Sequence, residues 1–288
     1  MNNKLKPING EIVNLNGIYI KLENINPTGS IKFRPALNMI NHLLKEKKLK
    51  KSDTIIEATS GNMGIALAYI CNIYNINCII VLPEQEDETK IKILKSYNAK
   101  LIITPKEKGI KYAVNIAKEL ANNNNEYYYL DQFNNINNPN AYTEVADDII
   151  NKMKHIDYFI CGMGTSGCLM GIGKRLKEKI PNIKIIGIEP YESAYLTNHE
   201  INSHGIQGIG MNQIPSFFDM SIIDQIEVIK TKDVICKTKK MLKSGYDLGI
   251  SSCANLLVCE KYLKDYPDKI ILTIAHDGVI KYLSVLND

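Results

Sequence analysis

Several large classes of protein are excluded by what the chain lacks. Tryptophan is absent, and a formal net charge of only +4 over 288 residues comes with no Lys/Arg-rich run interleaved with aromatics. The electrostatic footprint of a nucleic-acid binder is therefore missing. No apolar run approaches the roughly 20 residues of a membrane span, and Met1 to Pro7 are polar where a signal peptide carries its apolar core. The expectation is a cytoplasmic chain without membrane contact. Cys71, Cys78, Cys161, Cys168, Cys236, Cys253 and Cys259 form an odd set without a C-x-x-C pair or a histidine at zinc spacing. They read as reduced, mostly buried thiols, and no metal site is expected.

What is present is an alternation of short apolar runs with helical patterns. Residues 11–15 and 18–22 alternate as a hairpin closed by Asn16-Gly17. Strands are then predicted at 54–57, 77–82, 100–104 and 127–129, with helices at 64–74, 88–96 and 110–121 between them. An Asn- and Pro-rich stretch, 131–140, breaks the rhythm. It resumes with helices at 141–153, 167–179, 232–244 and 253–262 and strands at 158–161, 184–189, 225–229 and 269–274, before a last short helix from Val279. The fold class is α/β, with two lobes, each a mostly parallel twisted sheet flanked by helices, packed over one cleft. The larger lobe is expected to comprise 1–35 and 141–288, the smaller 36–140.

Three stretches carry chemistry. In Asn26-Pro27-Thr28-Gly29-Ser30-Ile31-Lys32-Phe33-Arg34, a turn with Ser30 as N-cap sets Lys32 in the first turn of a helix. The helix dipole, nearby Arg34 and partial burial all disfavour its ammonium form and would keep the amine nucleophilic. A solvated surface lysine is the plain alternative. In Ala58-Thr59-Ser60-Gly61-Asn62-Met63-Gly64, two hydroxyls, an amide and the N–H groups of a helix start make an anion site sized for a carboxylate. Gly162-Met163-Gly164-Thr165-Ser166-Gly167 matches G-x-G-x-x-G, and Glu189 ends the next strand where a dinucleotide fold keeps its ribose-binding acid. An NAD(P)-dependent oxidoreductase is thus a rival reading, although it leaves the Lys32 and Thr59 stretches unexplained.

Together these stretches resemble the cysteine synthase and cystathionine β-synthase family, pyridoxal phosphate enzymes of fold type II. The likeness runs in order along most of the chain. It extends to Gln132-Phe133 with Asn138-Pro139, to the wall segment Gln207-Gly208-Ile209-Gly210, and to Gly249-Ile250-Ser251-Ser252. The resemblance implies that Lys32 holds the cofactor covalently and moves the Cα proton. Asn62 would stand near the phenolic oxygen, and Gly164, Thr165, Ser166, Gly167 and Cys168 would form the phosphate cup. Thr59, Ser60, Gly61, Met63 and Gln132 would surround the substrate carboxylate, with Gly208 and Ile209 as a wall. Phe33 replaces the family's Asp, Met63 and Cys168 each replace a Thr, and Gly278 falls where a Ser usually meets the pyridine nitrogen. Asp277 is the nearest polar substitute there, with capping of the last helix as the alternative. Asp219, after Gly210-Met211-Asn212-Gln213, is a candidate base for activating water, or else a loop cap.

The implied activity is β-elimination and β-replacement on a three-carbon amino acid, L-cysteine or O-acetylserine, with sulfide released or consumed. The implied assembly is a homodimer. A non-catalytic binding relative with an inert Lys32 is the remaining alternative.

Overall fold

Runs of Ile, Val, Leu and Tyr too short for buried helices become the strands of two sheets. The computed structural model describes residues 5–50, 52–84 and 88–286. In chain order, β1 (Ile12–Leu15) and β2 (Ile18–Leu22) precede α1 (Phe33–Lys45), β3 (Thr54–Ala58), α2 (Asn62–Tyr74), β4 (Asn77–Pro83) and α3 (Glu88–Ser96). Then come β5 (Lys100–Thr104), α4 (Gly109–Asn122), β6 (Tyr127–Tyr129), α5 (Asn137–Asn140) and α6 (Thr143–Lys152). The remainder is β7 (Tyr158–Gly162), α7 (Gly167–Lys179), β8 (Lys184–Pro190), α8 (Tyr195–Asn198), β9 (Gln225–Ile229), α9 (Thr231–Lys243), α10 (Ile250–Asp265), β10 (Ile271–Ala275) and α11 (Leu283–Leu286).

The hairpin turn forms as its dipeptide dictates: Asn16 (φ 52°) and Gly17 (φ 92°) both take the left-handed conformation of a type I′ turn. Only this pair is antiparallel among the named strands. A six-stranded sheet runs β1-β2-β10-β7-β8-β9, and a four-stranded sheet runs β5-β4-β3-β6. The central strands are covered on both faces, so β3 and β10 are buried at every position, including Thr54, Glu57 and Thr273.

The first strands of the chain join the last one, since Ile18 of β2 lies opposite Ile271 of β10. This pairing supports the lobe division at 35/36 and 140/141, which we put forward as a proposal. Phe33, Ala36, Met39 and Ile40 of α1 bury against Ile65, Leu67 and Ile70 of α2 in the small-lobe core, so α1 ties the lobes together. The carboxyl ends of β3, β7 and β10 feed one cleft, at Asn62, at residues 164–168 and at residues 276–277. Among the described residues, no helix is long and apolar enough to cross a membrane.

Candidate active site

Lys32 is delivered by a tight strap. Thr28 (φ 69°) and Gly29 (φ 61°) reverse the chain, and Ser30 then pairs with Asp277 across an isolated bridge. The Ile31 N–H donates to the His276 carbonyl at 2.7 Å. Ser30 Oγ accepts the Lys32 N–H at 3.2 Å, and the helix begins one residue later, with Lys32 itself at the cap position. Its amine points into the cleft, 3.4 Å from Thr165 Oγ1. Burial lowers its pKa from the ordinary 10.5, against the pull of Cys168, Cys161 and Asp277 in the other direction. Arg34, expected to help, does not: it is buried on the far side of α1, with Nε 2.5 Å and Nη2 3.0 Å from the Glu23 carboxylate. An i,i+2 spacing sends the two side chains of a helix apart.

The turn after β7 is shaped by close approach. Ser166 sits at φ 58° ahead of α7, and Thr165 and Ser166 are buried. A Cβ on Gly164 would stand 2.7 Å from the Gly208 carbonyl oxygen, and one on Gly167 only 2.2 Å from Asn138 Oδ1. Among the described residues, the N–H groups of Thr165, Ser166, Gly167 and Cys168 donate to no protein acceptor. They are the orphan donors of a helix start and form an anion cradle. Asn138 braces it, donating to Thr165 Oγ1 (3.2 Å) and to the Gln132 carbonyl (2.7 Å), while its own Oδ1 is buried without a partner.

Asp277 closes the floor. Its Oδ2 accepts from Asn62 Nδ2 at 2.6 Å and from the Tyr282 hydroxyl, and Oδ1 is buried without a partner. Burial raises its pKa, opposed by the Tyr282 hydrogen bond, the Lys281 charge and the Asn62 amide. The capping alternative fails, because Asp247 Oδ1 accepts the Val279 N–H at 2.6 Å and takes that position. Lys281 donates to Asn62 Oδ1 at 2.9 Å and to the Thr28 carbonyl at 2.6 Å, locking amide, strap and floor together.

On the small-lobe side, Thr59 Oγ1 accepts the Gly61 N–H at 3.2 Å, and Ser60 is exposed. Gln132 is buried beside the cradle. Gly208 (φ 98°) lines the cleft with Lys32, Asn62, Ser251, His276 and Asp277.

Several sequence-derived candidates lie elsewhere. Met63 is turned into the small-lobe core and Ile209 into the large-lobe core, because a helix start and a wall each alternate inward and outward positions. Neither side chain lines the cleft. Asp219 is exposed and caps a 3₁₀ turn, accepting from the Ser221 N–H (2.9 Å) and hydroxyl (2.6 Å), which hold its pKa low. Asn212 and Gln213 are exposed as well, so the polar wall expected near a substrate β-carbon is not formed. Glu189, the acid of the dinucleotide reading, is buried and spent on the Leu196 N–H (2.8 Å) and on the Thr197 N–H and hydroxyl (3.2 Å each).

Sequence reasoning missed Tyr282 and Lys281, and it named Asn138 without its bracing role. Tyr282 was within reach, five positions after Asp277 on a short helix; Asn138 needs a contact 27 positions away.

An anion cradle of free amides, a lysine held towards its neutral form and a buried acid with an open acceptor fit a phosphorylated aldehyde whose ring carries a basic nitrogen. The sequence matches the family described as "Pyridoxal-phosphate dependent enzyme" over residues 4–277. The chain belongs to that family. It is similar to cysteine synthase B of Campylobacter jejuni, 40% identical over 272 residues, 93% of this chain and 90% of that one. It also resembles a hydrogen sulfide-producing enzyme of Fusobacterium nucleatum (37% identity, TM-score 0.89, 96% of each chain). An O-acetylserine dependent cystathionine β-synthase of Helicobacter pylori is a further likeness (37% identity, TM-score 0.87, 93% of this chain and 88% of that one). The cofactor is pyridoxal phosphate, and the dinucleotide reading is set aside.

Proposed function

We propose that this enzyme carries out β-elimination and β-replacement on a three-carbon amino acid of cysteine metabolism, with L-cysteine or O-acetylserine as substrate and sulfide released or consumed. The observation that carries the reading is the burial of the Lys32 amine between the amide cradle and Asp277. The names of the relatives agree with it.

Bound pyridoxal phosphate supplies an electron sink for the pair left at Cα. The N–H groups of residues 165–168 would hold its phosphate, and Lys32 would hold its aldehyde carbon. The Lys32 amine, buried in the cleft and held towards its neutral form, would take the Cα proton and return one. Asn62 fixes the ring through its amide, and Thr59, Ser60, the backbone of Gly61 and Gln132 hold the substrate carboxylate. Asp277 would stand towards the ring nitrogen and favour its protonated form, with Asn62 and Tyr282 orienting the carboxyl. Asp277→Asn then lowers kcat by at least about tenfold, some 1.4 kcal/mol of barrier; an unchanged kcat would assign Asp277 to structure alone.

The deciding experiment gives the cofactor-loaded protein L-cysteine alone, or O-acetylserine with sulfide, and follows sulfide. Release in the first case marks a lyase, consumption in the second a synthase. If the loaded protein does neither, the reading fails. We further propose a cytoplasmic homodimer, on the family likeness and on seven free cysteines, six of them buried. A solution mass of twice 32.5 kDa would bear out the dimer.

A further inference from the structure

Behind the cradle, three side chains from three different elements converge. Cys161 is the next-to-last residue of β7, Cys168 the second of α7, and His276 follows β10. Cys161 Sγ lies 3.9 Å from Cys168 Sγ and 3.3 Å from His276 Nε2, and a single ligand atom from each of the three falls within 4.8 Å of the others. In a tetrahedral zinc site with bonds of about 2.3 Å to sulfur and about 2.0 Å to nitrogen, ligand atoms stand roughly 3.5 to 3.8 Å apart. The Cys161–Cys168 and Cys161–His276 separations lie within about 0.2 Å of those values, and the Cys168–His276 separation is at most 4.8 Å.

We propose that Cys161, Cys168 and His276 form a three-ligand site for a thiophilic divalent cation of the zinc class, reached through the cofactor cleft.

The geometry is held from outside the cluster. The His276 N–H donates to Ser252 Oγ at 2.9 Å and its carbonyl accepts from Ile31, so the backbone carrying the imidazole is fixed on both sides. Cys161 is fully buried, whereas Cys168 and His276 also line the cleft, which gives the ion a path in and leaves a fourth position facing it. Two thiols and an imidazole select soft or borderline ions over magnesium or calcium. On binding, each thiol passes its proton to solvent and the cation balances the two buried thiolates, a charge state that burial alone disfavours. An ion so placed clamps the first turn of α7 to the end of β10, the elements that carry the cradle and Asp277.

The test is a Cd²⁺ titration of the cofactor-loaded enzyme on a Cys236→Ala background, which removes the exposed thiol. Thiolate-to-metal absorption and ion content after dialysis are read together. One ion per chain is expected, and adding Cys161→Ala should weaken binding by at least about 100-fold, the scale on which even outer partners of metal ligands act. Cofactor absorption should persist in that variant. No retained ion, or affinity unchanged by Cys161→Ala, overturns the site. Should the variant fail to fold, X-ray absorption on zinc-loaded protein with Cys161 intact decides instead: two sulfurs and at least one nitrogen support the proposal, and an all-oxygen shell refutes it. A peptide map joining Cys161 to Cys168 in a disulfide refutes it as well.

Discussion

Two strand-to-helix turns open on the same cleft, and they are built to opposite rules. The turn at 164–168 is buried, and its glycines touch protein so closely that a methyl group on Gly164 or Gly167 would collide with Gly208 or Asn138. The turn at 59–62 exposes Ser60, and a methyl group on Gly61 would meet nothing within 4 Å. On the proposed roles, the first turn would hold one anion in one place, where any slack would misplace the reacting atoms. The second would admit and release substrate, and it keeps the space to do so. The lysine strap belongs with the first turn: it is bonded to the end of β10 at Ser30 and Ile31 and has no comparable freedom.

The largest effect is expected at the strap. Lys32→Ala should lower turnover by at least about 10³-fold while leaving the thermal transition near wild type, since proton transfer is worth roughly 10² to 10⁴ and the amine's one hydrogen bond among the described residues is long, at 3.4 Å. Cofactor still binds at the cradle, without the covalent absorption band. Turnover within tenfold of wild type would refute the role of Lys32.

Next comes the closed turn. In Gly167→Ala the new methyl meets Asn138 Oδ1 at 2.2 Å, and overpacking of this kind costs about 1–3 kcal/mol. The loss is expected in cofactor affinity, roughly 5- to 150-fold, because Asn138 braces Thr165. An absorbance titration with pyridoxal phosphate measures it, and unchanged affinity would show that the turn is less rigid than its contacts require.

The difference between the turns also governs how much the sequence disclosed. Strand and helix order was legible because Ile-rich runs and 3.6-residue patterns are local, and the hairpin because Asn16-Gly17 accepts positive φ at both positions. Lys32, Asn62 and Asp277 stand at strand or helix ends, where local punctuation marks them. The direction of a side chain is a tertiary matter. Arg34 turned to Glu23, Met63 and Ile209 turned to core, and Asp219 capped its own loop instead of entering the cleft. The His276 pairing with Cys161 spans 115 positions, which no spacing rule covers.

A third effect lies at the foot of the open turn. Glu57 is buried at the end of β3, accepts the Ala58 N–H at 3.1 Å, and has Oε2 without a partner. Burial, reinforced by Asp131, raises its pKa from 4.5 to about 8. The folded state therefore holds a proton that the unfolded chain has already lost, and between pH 4.5 and about 8 each rise in pH favours unfolding. Glu57→Gln removes that dependence. The variant should match wild type near pH 4.5 and exceed it at pH 8 by on the order of 2–4 kcal/mol. Denaturant melts at the two pH values check this, and a difference independent of pH would mean that Glu57 ionises normally in the fold.

The smallest effect tests the open turn itself. At Gly61 the backbone is extended (φ −122°), so alanine is conformationally allowed, and nothing lies within 4 Å of its methyl group. Stability should stay within about 0.5 kcal/mol of wild type, as for an unremarkable surface change. Cofactor affinity should not move, because the cradle is on the other side of the cleft. What can change is the fit of the substrate carboxylate to the amides at the start of α2, so the loss is expected in KM, a few-fold, with kcat preserved. Measured beside Gly167→Ala, this separates the two turns: one substitution weakens the cofactor, the other the substrate. If Gly61→Ala instead costs cofactor affinity, the turns move as one body, and the division between a fixed wall and an open one does not hold.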